Sequence, residues 1–328
     1  GAWGTALAQV AGHAGFDVYL WCRDKAVLTE IVDRRENSKY LPGVSLHDRI
    51  KPVATLADTA AAQLFLMVTP TQSLRDVSLQ LKEIVDPRAP LVVCAKGIEQ
   101  GSQKFATEIV TDILPSNPVA VLSGPSFSAD VVRGLPTAVT IAARDIRMAE
   151  SIAQSLGTQS FRLYHSADVR GVEIGGAAKN VLAIACGIAQ GRNLGASAQA
   201  ALIARGFAEL RRFGAAYGAD QETLMGLSGL GDLVLTCSSS QSRNFALGLA
   251  LGQGKSLLEA SAAKLAEGVF TARVLAEMAD TASVDMPIVA AVDAILAGEL
   301  GVGAAVSRLM MRPQRSESGD ARAGINSE

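Results

Sequence analysis

The pattern of hydrophobic and polar positions changes near residue 166. Between residues 17 and 165, short apolar runs rich in β-branched residues alternate with segments whose apolar residues recur every three or four positions. The runs predict strands and the segments predict helices. The predicted strands are "DVYLW", "LFLMVTP", "LVVCAKG", "VAVLSGP", "TAVTIAA" and "FRLYHS". This alternation is typical of a parallel sheet covered by helices on both faces.

The strand pattern ends after His165. Residues 167–311 are rich in Ala, Leu and Gly at helical spacing, interrupted at "GRNLG", "GLGD" and "DMP". They predict an all-helical second domain. The polar, aperiodic stretch that follows is expected to be disordered. We therefore divide the chain into an α/β domain over 1–166, a helical domain over 167–311 and a tail over 312–328.

The first residues, "GAWGTALAQVAGHAG", resemble part of a dinucleotide-binding turn. Gly1 and Gly4 have the spacing of the second and third glycines of G-x-G-x-x-G/A, and a helix is predicted to continue to about His13. An ordinary helix start is the alternative. The β-rich run that ends in "RD" roughly 20 residues later favours the nucleotide-binding interpretation. Position 1 is then expected to be an internal point of a longer natural sequence.

Length and composition exclude several classes of protein. The 328 residues suit two domains, and a formal net charge of −2 provides no basic field for nucleic acid. The longest apolar run, which starts at Asn180, is too short to span a bilayer. The four cysteines are scattered, so we expect free thiols in a reducing cytoplasm, with neither a disulfide nor a metal site; they are Cys22, Cys94, Cys186 and Cys237.

Three predicted strands end in loops that carry polar side chains: "TPTQS", "AKGIEQG" and "SGPSFS". In open α/β sheets, ligands bind beyond the carboxyl ends of the strands, which is where these loops lie. Lys96, in "CAKG", is an isolated cation at that edge.

Lys179 is the only lysine of a long apolar stretch, "EIGGAAKNVLAIACGIAQG". One interpretation is a lysine that extends from a buried helix to water. The other is a desolvated lysine whose lowered pKa makes it an acid or base near neutral pH. The paired glycines before it allow another backbone or a ligand to come close.

A second constellation is "LSGLGDLVLTCSSSQSRNFALG". Asp232 follows a glycine-rich turn, and Ser242, Arg243 and Asn244 lie where a new helix is expected to begin. A helix N-terminus with an arginine and flanking polar residues is suited to a phosphate. A capped helix with a surface arginine is the alternative.

Together these segments resemble one family. "GAWGTALA", "LPGVSL", "VVCAKGIE", "SGPSFSADVVRGLPTAV", "GVEIGGAAKNVLAIACGI", "GLSGLGDLVLTCSSSQSRN" and "AEGVFTARVLAEMA" are similar, in order and spacing, to bacterial NAD(P)-dependent sn-glycerol-3-phosphate dehydrogenases. The resemblance runs from residue 1 to about 311. It implies a Rossmann-type doubly wound sheet followed by an all-helical domain of the 6-phosphogluconate dehydrogenase type.

The resemblance also implies roles for individual residues. Lys179 matches the catalytic proton donor and acceptor, with Lys96 and Asp232 assisting. The implied substrate-binding residues are Lys96, Gly124, Ser126, Lys179, Asp232, Thr236, Ser242, Arg243 and Asn244. The implied cofactor-binding residues are Gly1, Ala2, Trp3, Gly4, Arg23, Lys96, Ser128, Arg243, Leu265 and Glu267.

The implied activity is the reversible reduction of dihydroxyacetone phosphate to sn-glycerol 3-phosphate for phospholipid synthesis, in a cytoplasmic enzyme that is expected to form a homodimer. NADPH is expected over NADH, because Arg23 can accommodate a 2′-phosphate while Asp24 caps the next helix; the alternative is that Asp24 binds the ribose. There are two alternative functions. One is another enzyme of the wider hydroxyacid or phosphogluconate dehydrogenase group, and the other is a nucleotide-binding regulatory module.

Overall fold

The computed structural model describes residues 1–261 and 266–314. The described strands are β1 (Val18–Trp21), β2 (Glu36–Asn37), β3 (Leu41–Ser45), β4 (Ile50–Val53), β5 (Phe65–Met67), β6 (Leu91–Val93), β7 (Val119–Ser123), β8 (Thr137–Ala143) and β9 (Phe161–Ser166). The described α-helices are α1 (Ala2–His13), α2 (Lys25–Arg34), α3 (Thr71–Leu81), α4 (Ala106–Ile113), α5 (Ser128–Val132), α6 (Ile146–Leu156), α7 (Val169–Gly191), α8 (Ala196–Ala216), α9 (Gln221–Met225), α10 (Asp232–Cys237), α11 (Arg243–Gly252), α12 (Leu257–Ser261), α13 (Glu267–Thr281), α14 (Pro287–Leu296) and α15 (Val302–Met310). An α/β domain is thus followed by a helical domain, as the sequence predicts.

The main sheet has the strand order β5-β6-β7-β8-β9. All six predicted strands are confirmed, but the prediction of a wholly parallel sheet is wrong, because β7 and β8 are antiparallel. The connection between them, residues 124–136, contains one helix, α5, of only five residues. Such a helix rises about 7.5 Å, whereas the seven residues of β8 span about 23 Å. The short helix cannot return the chain along the sheet, so the strand direction reverses.

Three further strands were not predicted. β1 pairs with β4 in a parallel two-stranded sheet, and β2 pairs with β3 in an antiparallel one. β3 and β4 each contain a proline, Pro42 and Pro52, which lowers the strand signal of a short segment.

Helices cover both faces of the main sheet, as expected. On one face, apolar side chains of α1, α5 and α6 pack against alternate positions such as Val92 and Leu122. On the other face, α3 and α4 pack against Leu91 and Val93. Successive side chains of a strand point to opposite faces of the sheet, so the core is divided into these two layers.

The helical domain is built around α7, which is buried from Gly171 to Ala189. A Cβ atom built on Gly187 would lie 2.1 Å from the carbonyl oxygen of Phe245, and one built on Gly248 would lie 2.1 Å from that of Ile184. The backbones of α7 and α11 are therefore in direct contact. α7 is long and apolar enough to cross a membrane, yet its apolar window is entirely enclosed by the protein, as in a core helix.

The two domains meet where α7 packs against β7 and β8. Val172 packs with Val121 and Ala142 of the sheet. Ile98 and Phe105, from the loop that follows β6, belong to the hydrophobic core of the helical domain. The carboxyl edge of the sheet thereby faces the middle of α7.

Candidate active site

Two lysines share one buried carboxylate at the domain boundary. Lys179 Nζ, from α7, donates to Asp232 Oδ1 at 2.5 Å and to Thr236 Oγ1 at 3.0 Å. Lys96 Nζ, from the loop that follows β6, donates to Asp232 Oδ2 at 2.8 Å and to the carbonyl oxygen of Gly124 at 3.0 Å. The structure therefore brings together three residues that the sequence identified separately.

Burial controls the charge of this cluster. The Asp232 side chain is 1% exposed and that of Lys179 is 9% exposed. Burial lowers the pKa of Lys179 to about 8, although Asp232 opposes that shift. Burial alone would raise the pKa of the Asp232 carboxyl, but the ammonium groups of Lys179 and Lys96 hold it below its ordinary value. Lys179 does not extend to water, which rules out the first interpretation of its position.

Glycines allow the elements to approach one another. A Cβ on Gly175 would lie 2.4 Å from the carbonyl oxygen of Ser228, and one on Gly176 would lie 2.8 Å from Ser123 Oγ and 3.3 Å from Lys96 Cγ. Ser228 belongs to a π-helical turn, Leu227–Gly231, that ends immediately before Asp232. The glycine pair therefore admits both the turn that carries Asp232 and the stem of Lys96.

The end of β7 contributes Gly124 and Ser126. Gly124 has a φ of +146°, and a Cβ there would lie 2.8 Å from Val139 Cα, so only glycine fits. Its carbonyl oxygen accepts hydrogen bonds from Lys96 Nζ and from Ser126 Oγ, the latter at 3.0 Å. Both residues thus lie beside Lys96.

The start of α11 carries Ser242, Arg243 and Asn244. Ser242 Oγ accepts from the backbone N–H of Phe245 at 3.3 Å and caps the helix, as the sequence predicts. Arg243 is exposed. The Asn244 amide is buried and has partners within the protein, so the structure leaves Arg243 as the side chain of this trio that faces outward.

An amide network that the sequence analysis missed joins four segments. Asn180 Nδ2 donates to the carbonyl oxygen of Lys96 at 3.2 Å, and Asn244 Nδ2 donates to Asn180 Oδ1 at 2.9 Å. Asn244 Oδ1 accepts from the N–H of Gly268 at 2.9 Å. The sequence signal that could have indicated this network is Asn180, a polar residue inside the apolar stretch that follows Lys179. The network fixes the backbones next to Lys179, Arg243 and Glu267.

A cavity of about 260 Å³ lies between the domains beside this cluster. Its lining includes Arg23, Thr71 and Gly97 from the α/β domain and Glu267 and Phe270 from α13. Burial raises the pKa of Glu267, and the nearby Arg243 opposes the shift. Arg23 and Glu267, which were predicted to bind cofactor, thus share one cavity. Thr71 was not predicted, although it follows directly after the loop start at "TP".

Other predicted cofactor residues lie near the start of α1. Gly1 is the N-cap of α1, and Ala2, Trp3 and Gly4 form its first turn. Ser128 begins α5, which packs against α1. Among the described residues, Trp3 Nε1, Thr69 Oγ1 and Thr71 Oγ1 are buried without a hydrogen-bond partner. These orphaned groups and the helix start fit a polar, anionic cofactor. Leu265 lies outside the described residues, as do residues 315–328 of the predicted tail.

Arg23 and Asp24 occupy different environments. Asp24 is the N-cap of α2; its Oδ1 accepts from Ala26 N–H at 3.0 Å and its Oδ2 accepts from Lys39 Nζ at 2.6 Å. Arg23 lines the cavity. The expected helix cap by Asp24 is found, and the contact of Arg23 with a 2′-phosphate stays a prediction.

Family models match both domains. The model described as NAD-dependent glycerol-3-phosphate dehydrogenase N-terminus matches residues 1–149, and the corresponding C-terminus model matches residues 168–307. The glycerol-3-phosphate dehydrogenase [NAD(P)+] of Azorhizobium caulinodans is 57% identical over 97% of this chain and 96% of its own length. The chain belongs to the NAD(P)-dependent glycerol-3-phosphate dehydrogenases. The relative from Rhodopseudomonas palustris HaA2 is 56% identical over the same shares of the two chains.

Solved structures agree with this family membership. The glycerol-3-phosphate dehydrogenase of Coxiella burnetii superposes with a TM-score of 0.91 at 37% identity, over 95% of this chain and 97% of the other. The enzyme of Saccharomyces cerevisiae gives a TM-score of 0.80 at 26% identity, over 94% and 96%. A dehydrogenase of this family interconverts dihydroxyacetone phosphate and sn-glycerol 3-phosphate with a nicotinamide cofactor.

Among residues 1–261 and 266–314, no three His, Cys, Asp or Glu side chains lie close enough together to hold a metal ion. All four cysteines are free thiols.

Proposed function

We propose that Lys179, Lys96 and Asp232 are the catalytic residues for the reduction of dihydroxyacetone phosphate. The observation that supports this is the carboxylate shared by two ammonium groups at the carboxyl edge of the sheet. With a pKa of about 8, Lys179 exchanges its proton near neutral pH, so it can protonate the oxygen that forms on C2 and remove that proton in the reverse direction. Lys96 adds positive charge beside the developing alkoxide.

Asp232 holds the two ammonium groups in place. Because each of its oxygens accepts from a different lysine, the carboxylate sets the direction of both side chains. Thr236 Oγ1 accepts a further hydrogen bond from Lys179, which orients the remaining proton of that ammonium group. Gly124 and Ser126, from the α/β domain, lie beside the Lys96 ammonium group.

A nicotinamide cofactor supplies the hydride when it is bound. The residues that would hold it lie at the starts of α1 and α5 and around the cavity: Gly1, Ala2, Trp3, Gly4, Ser128, Arg23, Thr71 and Glu267. A preference for NADPH is part of this proposal: Arg23 lines the cavity, whereas Asp24 is engaged with Ala26 and Lys39.

Arg243 and the backbone N–H groups at the start of α11 would hold the substrate phosphate. Ser242 and Asn244 support that site by fixing the helix start and by joining it to Asn180. α11 is ten residues long, and Arg243 lies close enough to Glu267 to affect its pKa. The same arginine is thus near both the phosphate site and the cofactor cavity.

The test is NADPH oxidation with dihydroxyacetone phosphate, compared with dihydroxyacetone that lacks the phosphate. We expect Arg243→Ala to raise the KM for the phosphorylated substrate by about tenfold or more, since hydrogen bonds to charged groups contribute roughly 1.5–3 kcal/mol. Arg147→Ala is the matched control, because Arg147 is also in the first turn of a capped helix but is 88% exposed beside Asp145. Equal use of both substrates would overturn the phosphate assignment.

We also propose a division at residues 166/167, a cytoplasmic location and a homodimer. The four free thiols support a reducing compartment. Light scattering of the purified protein measures the oligomeric state directly; a monomer at micromolar concentration would refute the dimer.

A further inference from the structure

A charged cluster joins the start of α7 to the start of α4. Glu173 Oε1 accepts from the backbone N–H of Thr107 at 2.7 Å. The Arg170 guanidinium donates to Glu108 Oε1 and lies 3.9 Å from the centre of the Phe105 ring. Glu108 Oε2 in turn accepts from the N–H of Phe105 at 2.9 Å. We name the side chains of Phe105, Glu108, Arg170 and Glu173 the α4–α7 clamp.

The α4 side of the clamp is connected along the chain to Lys96, and the α7 side is connected to Lys179. Phe105 closes the loop that begins at Lys96, through a β-bridge to Ile98. On the other side, Glu173 precedes Lys179 by six residues on α7, which is about 9 Å along the helix axis. The clamp therefore connects the backbone segments that carry the two ammonium groups.

The charge of Glu173 determines how strongly the clamp holds. Glu173 Oε2 and Arg170 Nη1 lie 3.7 Å apart, and within the described residues both atoms are buried without a hydrogen-bond partner. An ionised carboxylate attracts this guanidinium and binds a helix N-terminus more strongly than a neutral carboxyl does. A neutral carboxyl attracts the guanidinium less, while Arg170 keeps its ion pair with Glu108.

We propose that Glu173 is a positioning residue for the reduction, which in its ionised form holds α4 to α7 and thereby fixes Lys96 relative to Lys179 across Asp232. The inference rests on the proposed roles of the two lysines. It assigns Glu173 no contact with substrate or cofactor.

The clamp is expected to weaken in acid. Burial raises the pKa of Glu173 to about 7. The N–H of Thr107 and the charge of Arg170 on its own helix oppose this rise, and Glu108 on α4 adds to it. Glu173 is therefore negative above about pH 7 and loses that charge as the pH falls through this value.

Glu173→Gln tests the proposal, and Glu209→Gln is its matched control. Glu209 is also buried, its two oxygens accept from the N–H groups of Ile288 at 2.8 Å and Val289 at 3.2 Å, and burial raises its pKa to about 7. It thus caps the start of α14 in the same way, and its two hydrogen bonds go to α14 rather than to α4 or α7. Both variants remove one buried charge and keep an acceptor for the helix.

For Glu173→Gln we expect kcat to fall by about ten- to a hundredfold near pH 8.5, since small misplacements of catalytic groups cost up to that much. The ratio of wild-type to variant kcat should shrink towards one near pH 6, where Glu173 is protonated in the wild type. Glu209→Gln should change kcat less than twofold. A ratio independent of pH, or equal losses in both variants, would overturn the proposal. An inactive wild type would instead refute the proposed function.

If Glu173→Gln fails to fold, Glu108→Gln provides the second test. The Glu108 side chain is 40% exposed, and glutamine can still accept from Phe105, so this variant is expected to fold. Loss of its charge frees Arg170 from α4 and should lower kcat by about two- to fivefold, the range of one partly exposed ion pair. A kcat equal to that of the wild type at all pH values would overturn the proposal.

Discussion

At the scale of the residue, the proposed catalytic lysine shares its counterion with a second lysine. Lys179 and Lys96 both donate to Asp232, so the single negative charge is divided between two positive ones. Burial then decides which form Lys179 prefers, and its pKa of about 8 leaves both forms populated near neutrality. A fully paired buried lysine would keep its proton and would be a poorer acid.

The direction of the pH dependence follows from this pKa. In the proposed mechanism, reduction requires protonated Lys179, so its kcat/KM should fall as the pH rises through about 8. Below about pH 7 it should fall as well, because protonation of Glu173 weakens the α4–α7 clamp. Oxidation of glycerol 3-phosphate requires the neutral amine, so its kcat/KM should rise through the same pH. Lys179→Ala should lower kcat by about 10²- to 10⁴-fold in both directions. Steady-state kinetics across pH 6–10 measure both profiles; a Lys179→Ala variant with the wild-type profile would show that another group titrates.

Arg23 gives a second prediction at this scale. Arg23→Ala should reduce kcat/KM for NADPH by about tenfold or more, because it removes a charge-assisted contact to the 2′-phosphate. The value for NADH should stay nearly constant. Asp24→Asn serves as the control, since Asp24 caps α2 and should affect both cofactors equally. Equal losses for NADPH and NADH in Arg23→Ala would remove it from the cofactor site.

Sequence reasoning found individual site residues more readily than the relations between them. Lys96 and Asp232 are 136 positions apart, and no local pattern indicates that they share a hydrogen bond. The asparagine network was missed for the same reason: Asn180 is visible as a polar residue in an apolar stretch, but its partners come from three other segments. The roles assigned to these residues stay predictions.

At the scale of the element, the hydrophobic periodicity predicted whether a segment is a helix or a strand better than it predicted the direction of a strand. The six strands of the α/β domain and the helical second domain were predicted, because apolar periods of 2 and 3.6 are local properties. The antiparallel pairing of β7 and β8 depends on the length of the connection through α5 instead. β3 and β4 were not predicted, because each contains a proline, which lowers the strand signal of a short segment.

The packing of α7 on α11 yields a stability prediction. A Cβ on Gly248 would lie 2.1 Å from the carbonyl oxygen of Ile184, so Gly248→Ala must push the helices apart and should cost about 1–3 kcal/mol or more of the free energy of unfolding. Gly303 is also helical, on α15, but a Cβ there meets nothing within 4 Å. Gly303→Ala should stabilise the protein by about 0.5–1 kcal/mol. Urea unfolding of both variants measures the two signs, and a neutral Gly248→Ala would show that α11 can move freely away from α7.

At the scale of the whole molecule, the cavity of about 260 Å³ belongs to both domains. Arg23 and Thr71 line it from the α/β domain, and Glu267 and Phe270 line it from α13 of the helical domain. A Cβ on Gly97 would lie 2.7 Å from Thr71 Oγ1 and 3.4 Å from Thr271 Oγ1, so the loop after β6 is held between the two domains at this point. A molecule bound in the cavity would contact both domains and should couple their stabilities.

Amide hydrogen exchange measures that coupling. At an NADPH concentration about 100 times its Kd, binding stabilises the bound form by about 2.7 kcal/mol, which corresponds to roughly a hundredfold slowing of exchange through openings that release the cofactor. We expect this slowing at the first turn of α13, from Glu267 to Thr271, as well as in α1 and at Arg23. The first turn of α14 is the control, because it lies in the same domain but does not line the cavity. Protection confined to the α/β domain would contradict a cofactor site shared by the two domains.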